Sequence, residues 1–250
     1  MNVILSEPRP GSYTLEKYDG RGISREMASE AAKLFSREYG VWGSLASEKM
    51  GEGTKKGSRI KMSSQRLITQ ILPPKAQNTY VRLVIDGNLA GNVFATRWQH
   101  KNLSILWITQ LCVDGKYRNR GVAKKMLGHL KGKEEMVGIL SSHPFALMAV
   151  LRVWGREVED VDRDLEMMKG TVKEVVEGYP VGYVREARLR GSLFGEGGGG
   201  AVACADTQFW VDHEEPLEAL RRLEERGLVW PFGNLPDGCE FVALVDAKVG

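Results

Sequence analysis

The spacing of apolar residues changes several times along the chain. Between Ser24 and Gly40, Met27, Ala31, Leu34 and Phe35 recur at the spacing of one helix face, with Ser24 as a cap and Gly40 as a stop. GEGTKKGSRIKMSS then has no period and reads as an exposed loop whose lysines are solvated. SQRLITQIL is a short helix ended by Pro73 and Pro74. TYVRLVIDGNLAGNVFATRW divides into two strands around Asp86-Gly87-Asn88, where Gly87 and Asn88 accept the positive φ of a tight hairpin. In SILWITQLCV, Ile105, Trp107, Leu111 and Val113 alternate with Leu106, Ile108 and Cys112, so both faces are apolar and the segment is a central strand covered on both sides.

Further on, MVGILSS reads as a strand and HPFALMAVLRVWG as a buried helix with Pro144 in its first turn. REVEDVDRDLEMMKGTVKEVVEGYP is charged and helical, and the glycine run from Gly195 to Gly200 is a flexible connector. That run formally satisfies G-x-G-x-x-G, but it precedes a strand instead of opening a helix, which excludes a dinucleotide loop. VACADTQFWVD reads as a strand. EPLEALRRLEERG is a helix with Leu217, Leu220 and Leu223 inward and Gly227 as its stop, and CEFVALV is a closing strand.

At the exit of the central strand stands VDGKYRNRGVAKKML, a turn running into an amphipathic helix whose inward residues are Val122, Ala123, Met126, Leu127 and Leu130. The first amides of a helix have no internal partner and carry the positive end of its dipole, so this turn is suited to an anion. Gly121 permits close backbone approach and Ala123 keeps the first turn open. Arg118, Arg120 and Lys124 add positive charge, which together makes a cradle for a diphosphate.

Composition narrows the classes. The net charge of +3, from 35 basic and 32 acidic side chains, is too mild to imply a nucleic-acid binder, so any basic site is local. Cys112, Cys204 and Cys239 are odd in number and lack C-x-x-C spacing, against a disulfide framework or a zinc site and for a reducing, cytoplasmic compartment. No apolar run approaches the ~18 residues of a membrane span. His100, His129, His143 and His213 are dispersed, and no metal is expected.

Arg118-x-x-Gly121-x-Ala123, preceded by Leu111-x-Val113 on a strand, resembles the acyl-CoA-binding signature of the GNAT superfamily of N-acyltransferases. The order of elements over residues 13–154 is similar to that family's fold. The resemblance implies an α+β (mixed α/β) architecture: a mostly antiparallel sheet with splayed parallel strands, flanked by helices. Residues 1–155 would form the acyl-CoA-binding core, and residues 156–250 a C-terminal elaboration completing the same domain and the acceptor site. It further implies that the backbone of Leu111, Cys112 and Val113 receives the pantetheine arm. Arg118, Asn119, Arg120, Gly121, Val122, Ala123 and Lys124 would hold the diphosphate, and amides near Cys112 and Val113 would serve the oxyanion.

Two positions depart from the family pattern. The glutamate that many members carry on the central strand is absent from LWITQLCV, which offers Thr109 and Gln110 instead. The tyrosine of the helix after the next strand is replaced, nearest by Leu151. The substitutes expected are His213 with Asp212 as the amine's proton acceptor, and His143 at the thiol end. Acidic capping of the following helix explains 212–215 equally, and capping explains His143. Ser142, with Ser141, either bonds the pantetheine or caps the helix. Phe194, Phe209, Trp210, Trp230 and Phe232 either enclose a compact acceptor pocket or fill a core.

The expected activity is acetyl-CoA-dependent acylation of a primary amine, the partner being a small molecule, with no nucleic acid and no membrane; a homodimer is left open. The alternatives are an acyl-CoA-binding or regulatory module without turnover, and a protein N-terminal or lysine acyltransferase.

Overall fold

A computed structural model describes residues 12–74, 76–196 and 199–247. Its strands are β1 (Tyr13–Asp19), β2 (Gln77–Ile85), β3 (Asn88–His100), β4 (Leu103–Val113), β5 (Met136–Ser141), β6 (Arg188–Arg190), β7 (Cys204–Asp206) and β8 (Cys239–Asp246). Its helices are α1 (Arg25–Glu38), α2 (Ala46–Met50), α3 (Ser64–Ile71), α4 (Val122–Leu130), α5 (Pro144–Val153), α6 (Asp162–Glu177), α7 (Gly182–Arg185) and α8 (Glu214–Glu224). The eight strands form one sheet in the order β1-β2-β3-β4-β5-β8-β7-β6, in which only β4 and β5 are parallel. β8, the last strand in sequence, therefore sits between β5 and β7.

Local chemistry explains most of the elements. Ser24 caps α1, its hydroxyl accepting from Met27 N at 3.2 Å, and Ser63 caps α3, accepting from Arg66 N at 3.1 Å. The β2–β3 hairpin takes its positive φ at Asp86 and Gly87 (48° and 75°), not at Asn88, as a two-residue loop with both central residues left-handed requires.

Alternation along β3 and β4 gives the sheet two faces. One carries Val93, Ala95, Leu106 and Ile108 and packs under α4 and α5. The other carries Phe94 and Tyr80, covered by α1 and α3, and Trp98 and Trp107, covered by Tyr179 just after α6. Gly138 of β5 pairs with Trp107, and a Cβ there would overlap ring atoms Cε3 and Cζ3 of that indole. The glycine lets the tryptophan lie flat across the parallel pair.

Several sequence expectations are corrected. β1 and β6 were not anticipated: YTLEKYD lies at the sheet edge with no buried residue, and RLR has only three residues. The strand expected from VACADTQFWVD ends at Asp206, and the chain then turns through Gln208 at φ 55°. Phe145 of α5 and Leu217 of α8 are 45% and 38% exposed, so neither helix buries every apolar residue assigned to its core. The expected connector lies outside the described residues at 197 and 198. On either side the backbone is bridged, Gly191 to Glu196 and Ala201 to Gly233.

Candidate active site

β4 and β5 pair only from Ile105↔Met136 to Ile108↔Ile139. Beyond that point β4 follows β3 and β5 follows β8, so the two parallel strands part into a wedge. The register between β3 and β4 slips at the same level: Phe94 faces Gln110 and Ala95 faces Ile108, leaving Thr109 as a bulge. The bulge frees a carbonyl, and Thr109 O accepts from Tyr183 Oη at 3.0 Å. The Thr109 hydroxyl lies 2.8 Å from Tyr179 Oη. Two tyrosines from the C-terminal half thus hold the apex of the wedge.

Beyond the bulge the ladder fixes which way the backbone points. Asp114 N donates to Ala90 O at 3.0 Å. Because antiparallel partners alternate between bonded and non-bonded pairs, Leu111 and Val113 turn their amides and carbonyls away from β3 into the wedge. Cys112 directs its own to Asn92, so of these residues Leu111 and Val113 turn backbone groups into the wedge and Cys112 does not. Burial pushes the Cys112 thiol up to about 12, which leaves it an inert core residue instead of a nucleophile.

The turn after β4 is organised by Asp114, whose Oδ1 accepts from Lys116 N at 2.9 Å and whose Oδ2 takes Arg37 Nη2 at 2.6 Å. Asn119 and Gly121 are left-handed (φ 60° and 74°), and α4 starts at Val122 with no side-chain cap. Among the described residues nothing accepts from the amides of Asn119 to Lys124. That row of free N–H groups at a helix start has the geometry that suits an anion.

The basic side chains divide in their behaviour. Arg118 is held by the protein, its Nε, Nη2 and Nη1 donating to Val113 O (3.4 Å), Glu38 O (3.0 Å) and Glu215 Oε1 (3.2 Å). The Arg120 guanidinium lies 6.0 Å from the Tyr117 ring centroid, and Lys124 is exposed. A cavity of about 610 Å³ opens on the α1 side of the turn, lined by Lys33, Arg37, Asn88, Asp114, Lys116 and Tyr117 among others.

The α5 side of the wedge carries His143 and Ser142. His143 Nδ1 accepts from Phe145 N at 3.3 Å and so caps α5, while His143 N donates to Ser141 Oγ at 3.1 Å. Ser142 is buried. Glu215, in the first turn of α8, spans the mouth of the wedge, with Oε1 3.2 Å from Arg118 Nη1 and 3.5 Å from His143 Nε2. The His143 hydrogen bond is the main cause holding its carboxyl below the usual range.

Asp212 and His213 do not form the expected pair. Asp212 Oδ1 accepts from Glu214 N at 2.8 Å, a turn at the start of α8. His213 is buried, and neither ring nitrogen has a hydrogen-bond partner among the described residues. Burial lowers its pKa, against the opposing pull of Asp237 and Asp212.

A residue that sequence reasoning missed stands opposite. Glu240 of β8 is 4% exposed. Through the registers β5/β8 and β4/β5 it falls on the same sheet face as Val242, Leu140, Gly138 and Trp107, and hence as Gln110 and Cys112 across the wedge. Burial pushes its carboxyl up to about 7, against hydrogen bonds from the Thr207 and Tyr39 hydroxyls. Tyr39 and Tyr183 are both raised well above ordinary tyrosine, first by burial and next by the Glu240 charge. Tyr183 is 39% exposed as a residue, its buried end being the hydroxyl bonded to Thr109 O. The signal in the sequence was a lone glutamate in the otherwise apolar CEFVALV.

No group of His, Cys, Asp and Glu among the described residues could hold a metal ion, and none of their helices is long and apolar enough to cross a membrane. The three cysteines are free.

No protein-family model and no curated protein matches the chain. Solved structures do. An aminoglycoside acetyltransferase from an uncultured soil metagenomic sample, in complex with sisomicin, is 15% identical over 47% of this chain and 66% of its own, a little under two thirds, with a TM-score of 0.31. The ribosomal-protein-S18-alanine N-acetyltransferase of Escherichia coli is 14% identical over 58% and 77%, with a TM-score of 0.37. A GNAT-family acetyltransferase of Streptococcus pneumoniae is 16% identical over 58% and 84%, with a TM-score of 0.38. Likeness at this level is partial and says nothing of what this chain acts on. The chain's own strand order, its bulged β4 and its one parallel pair, splayed beyond Ile108, give the mixed α/β architecture expected from the sequence, a mostly antiparallel sheet flanked by helices.

Proposed function

We propose that this chain is an N-acyltransferase that moves an acyl group from acyl-CoA, acetyl-CoA in the first instance, to a primary amine of a small molecule. One observation carries the reading: a wedge between parallel strands, with the Leu111 and Val113 backbone turned into it, ends at the unbonded amides of Asn119 to Lys124. A long donor with an amide-bearing arm and a diphosphate fits both parts. Val113 and Leu111 would bond the arm as an added strand does, and Gly121 with its neighbouring amides would hold the diphosphate. The acceptor would enter from the face that carries Gln110, Tyr39 and Glu240.

Calorimetric titration with CoA and acetyl-CoA tests the donor half. A panel of amines, read through the thiol released, tests transfer. The expected result is stoichiometric binding with thiol release for at least one class of small amine. Absence of CoA binding overturns the donor assignment, and binding without release for every amine class, peptides included, makes the chain a binding module.

A further inference from the structure

Among the described residues, the fold brings one acidic side chain to the side of the wedge with no cation acting on it. Glu240 sits on β8, on the face shared with Gln110 and Cys112, just past the last β5/β8 pair, Ser141↔Phe241, and so beyond the point where β5 leaves β4. Tyr39 faces it from the end of α1, Tyr183 from α7 and Thr207 from the segment after β7, with Cys112 of β4 beside Tyr39. None of the described groups that act on it carries positive charge. A fully buried carboxyl without an ion-pair partner is costly to keep for packing alone. Among the described residues the Gln110 side-chain oxygen is buried without a hydrogen-bond partner, and Tyr183 is 39% exposed as a residue. This corner therefore offers acceptors and aromatic edges, and no donor of positive charge, to anything entering from solvent.

Resting on the acyltransferase reading, we infer that Glu240 is the group that binds the acceptor as an ammonium ion and takes its proton, so that the substrates of this chain are cationic primary amines. The step balances. The ammonium gives one proton to the Glu240 carboxylate, and the freed nitrogen pair forms the bond to the thioester carbonyl carbon. The carbon–sulfur bond breaks with its electron pair on sulfur, the second nitrogen proton ends on that sulfur as the thiol, and Glu240 passes its own proton to solvent. A carboxyl that titrates near neutrality suits this task better than one of ordinary acidity, because it is both ionised and basic enough at the working pH. The Thr207 and Tyr39 hydroxyls hold the carboxyl in place, and the Tyr39 and Tyr183 rings would flank the ammonium.

Glu240→Gln keeps the shape of the side chain and removes the base. With an amine from the panel that wild type acylates, turnover is expected to fall by about 100-fold or more, with acetyl-CoA affinity retained and a thermal midpoint no lower than that of wild type. The rising limb of the rate near pH 7 should vanish. A fluorinated analogue of the same amine, unprotonated at neutral pH, should recover most of the lost rate, which a merely structural defect would not allow. Turnover and pH limb that survive in Glu240→Gln, or that are lost instead in His213→Gln alone, overturn this assignment and leave the transferase reading standing. Wild type that binds acetyl-CoA and acylates no amine overturns the transferase reading and this assignment with it.

Discussion

Gly121→Asp is the most direct perturbation of the donor site. The residue has φ 74° and is the cap position of α4, and a Cβ built on it meets nothing within 4 Å. Asp is among the few residues that visit the left-handed region readily, so the backbone cost is about 1 kcal/mol and the fold survives. The effect on an anion is far larger. A carboxylate about 4 Å from a diphosphate repels each unit of its charge by about 4 kcal/mol at an effective dielectric near 20. Exposure and salt reduce that to about 2–4 kcal/mol, a loss of CoA affinity of about 30- to 1,000-fold.

Gly121→Ala carries the same left-handed Cβ without the charge, so the ratio of the two dissociation constants isolates electrostatics from backbone strain. Calorimetry with CoA at about 50 mM and about 500 mM salt should show the Asp/Ala ratio shrinking as screening grows. If both variants bind CoA as wild type does, the diphosphate is not held at this turn, and the free amides of Asn119 to Lys124 face solvent only.

Three further outcomes follow from particular contacts. Gly138→Ala forces a methyl into the Trp107 ring, so overpacking of about 1–3 kcal/mol should lower the thermal midpoint by roughly 3–10 °C; an unchanged midpoint would contradict the packing of the parallel pair. Glu215→Gln releases Arg118 and His143 at the wedge mouth and should tighten CoA binding by about 2- to 5-fold, as an exposed ion pair permits; weaker binding would mean that Glu215 supports the donor instead of competing with it. The Glu240 carboxyl is raised from 4.5 to about 7 in the folded chain, so its contribution is fully present below about pH 4.5 and is lost as pH rises through about 7. Urea unfolding at about pH 5 and about pH 8 should therefore show wild type losing roughly 3 kcal/mol relative to Glu240→Gln; parallel curves for the two proteins would refute the shift.

The core up to α5 was legible because its signals are local. Ser24 and Ser63 cap the helices they precede, Pro144 opens α5, and the two-sided apolar pattern of β4 matches a strand buried on both faces. The strand–turn–helix at Gly121 was legible for the same reason, since the glycine and the start of the amphipathic helix lie within ten residues of the end of β4. What pattern could not give was the bulge. Nothing in WITQL marks Thr109 as the extra residue, because its unpaired carbonyl is satisfied by Tyr183, distant in sequence.

The acceptor side shows the other failure, which lies in where a charged residue is sought. VDHEE draws the eye as four titratable residues in a row, yet Asp212 bonds the Glu214 amide and Glu215 turns to Arg118 and His143. Their density reflects the start of α8, where acidic side chains are favoured by free amides and the helix dipole. Glu240 is the one charge in the apolar run Cys239–Val245 of β8, and its position is decided by a non-local event: that strand inserts beside β5 instead of joining an edge. Once inserted, alternation leaves no choice, because a strand whose Phe241 pairs with Ser141 on one face must send Glu240 to the other, where α1 and α7 bury it. An isolated carboxylate in an otherwise apolar strand is thus a stronger pointer than a cluster at a helix start: the cluster is stabilised where it stands, whereas burial of the lone carboxyl is costly.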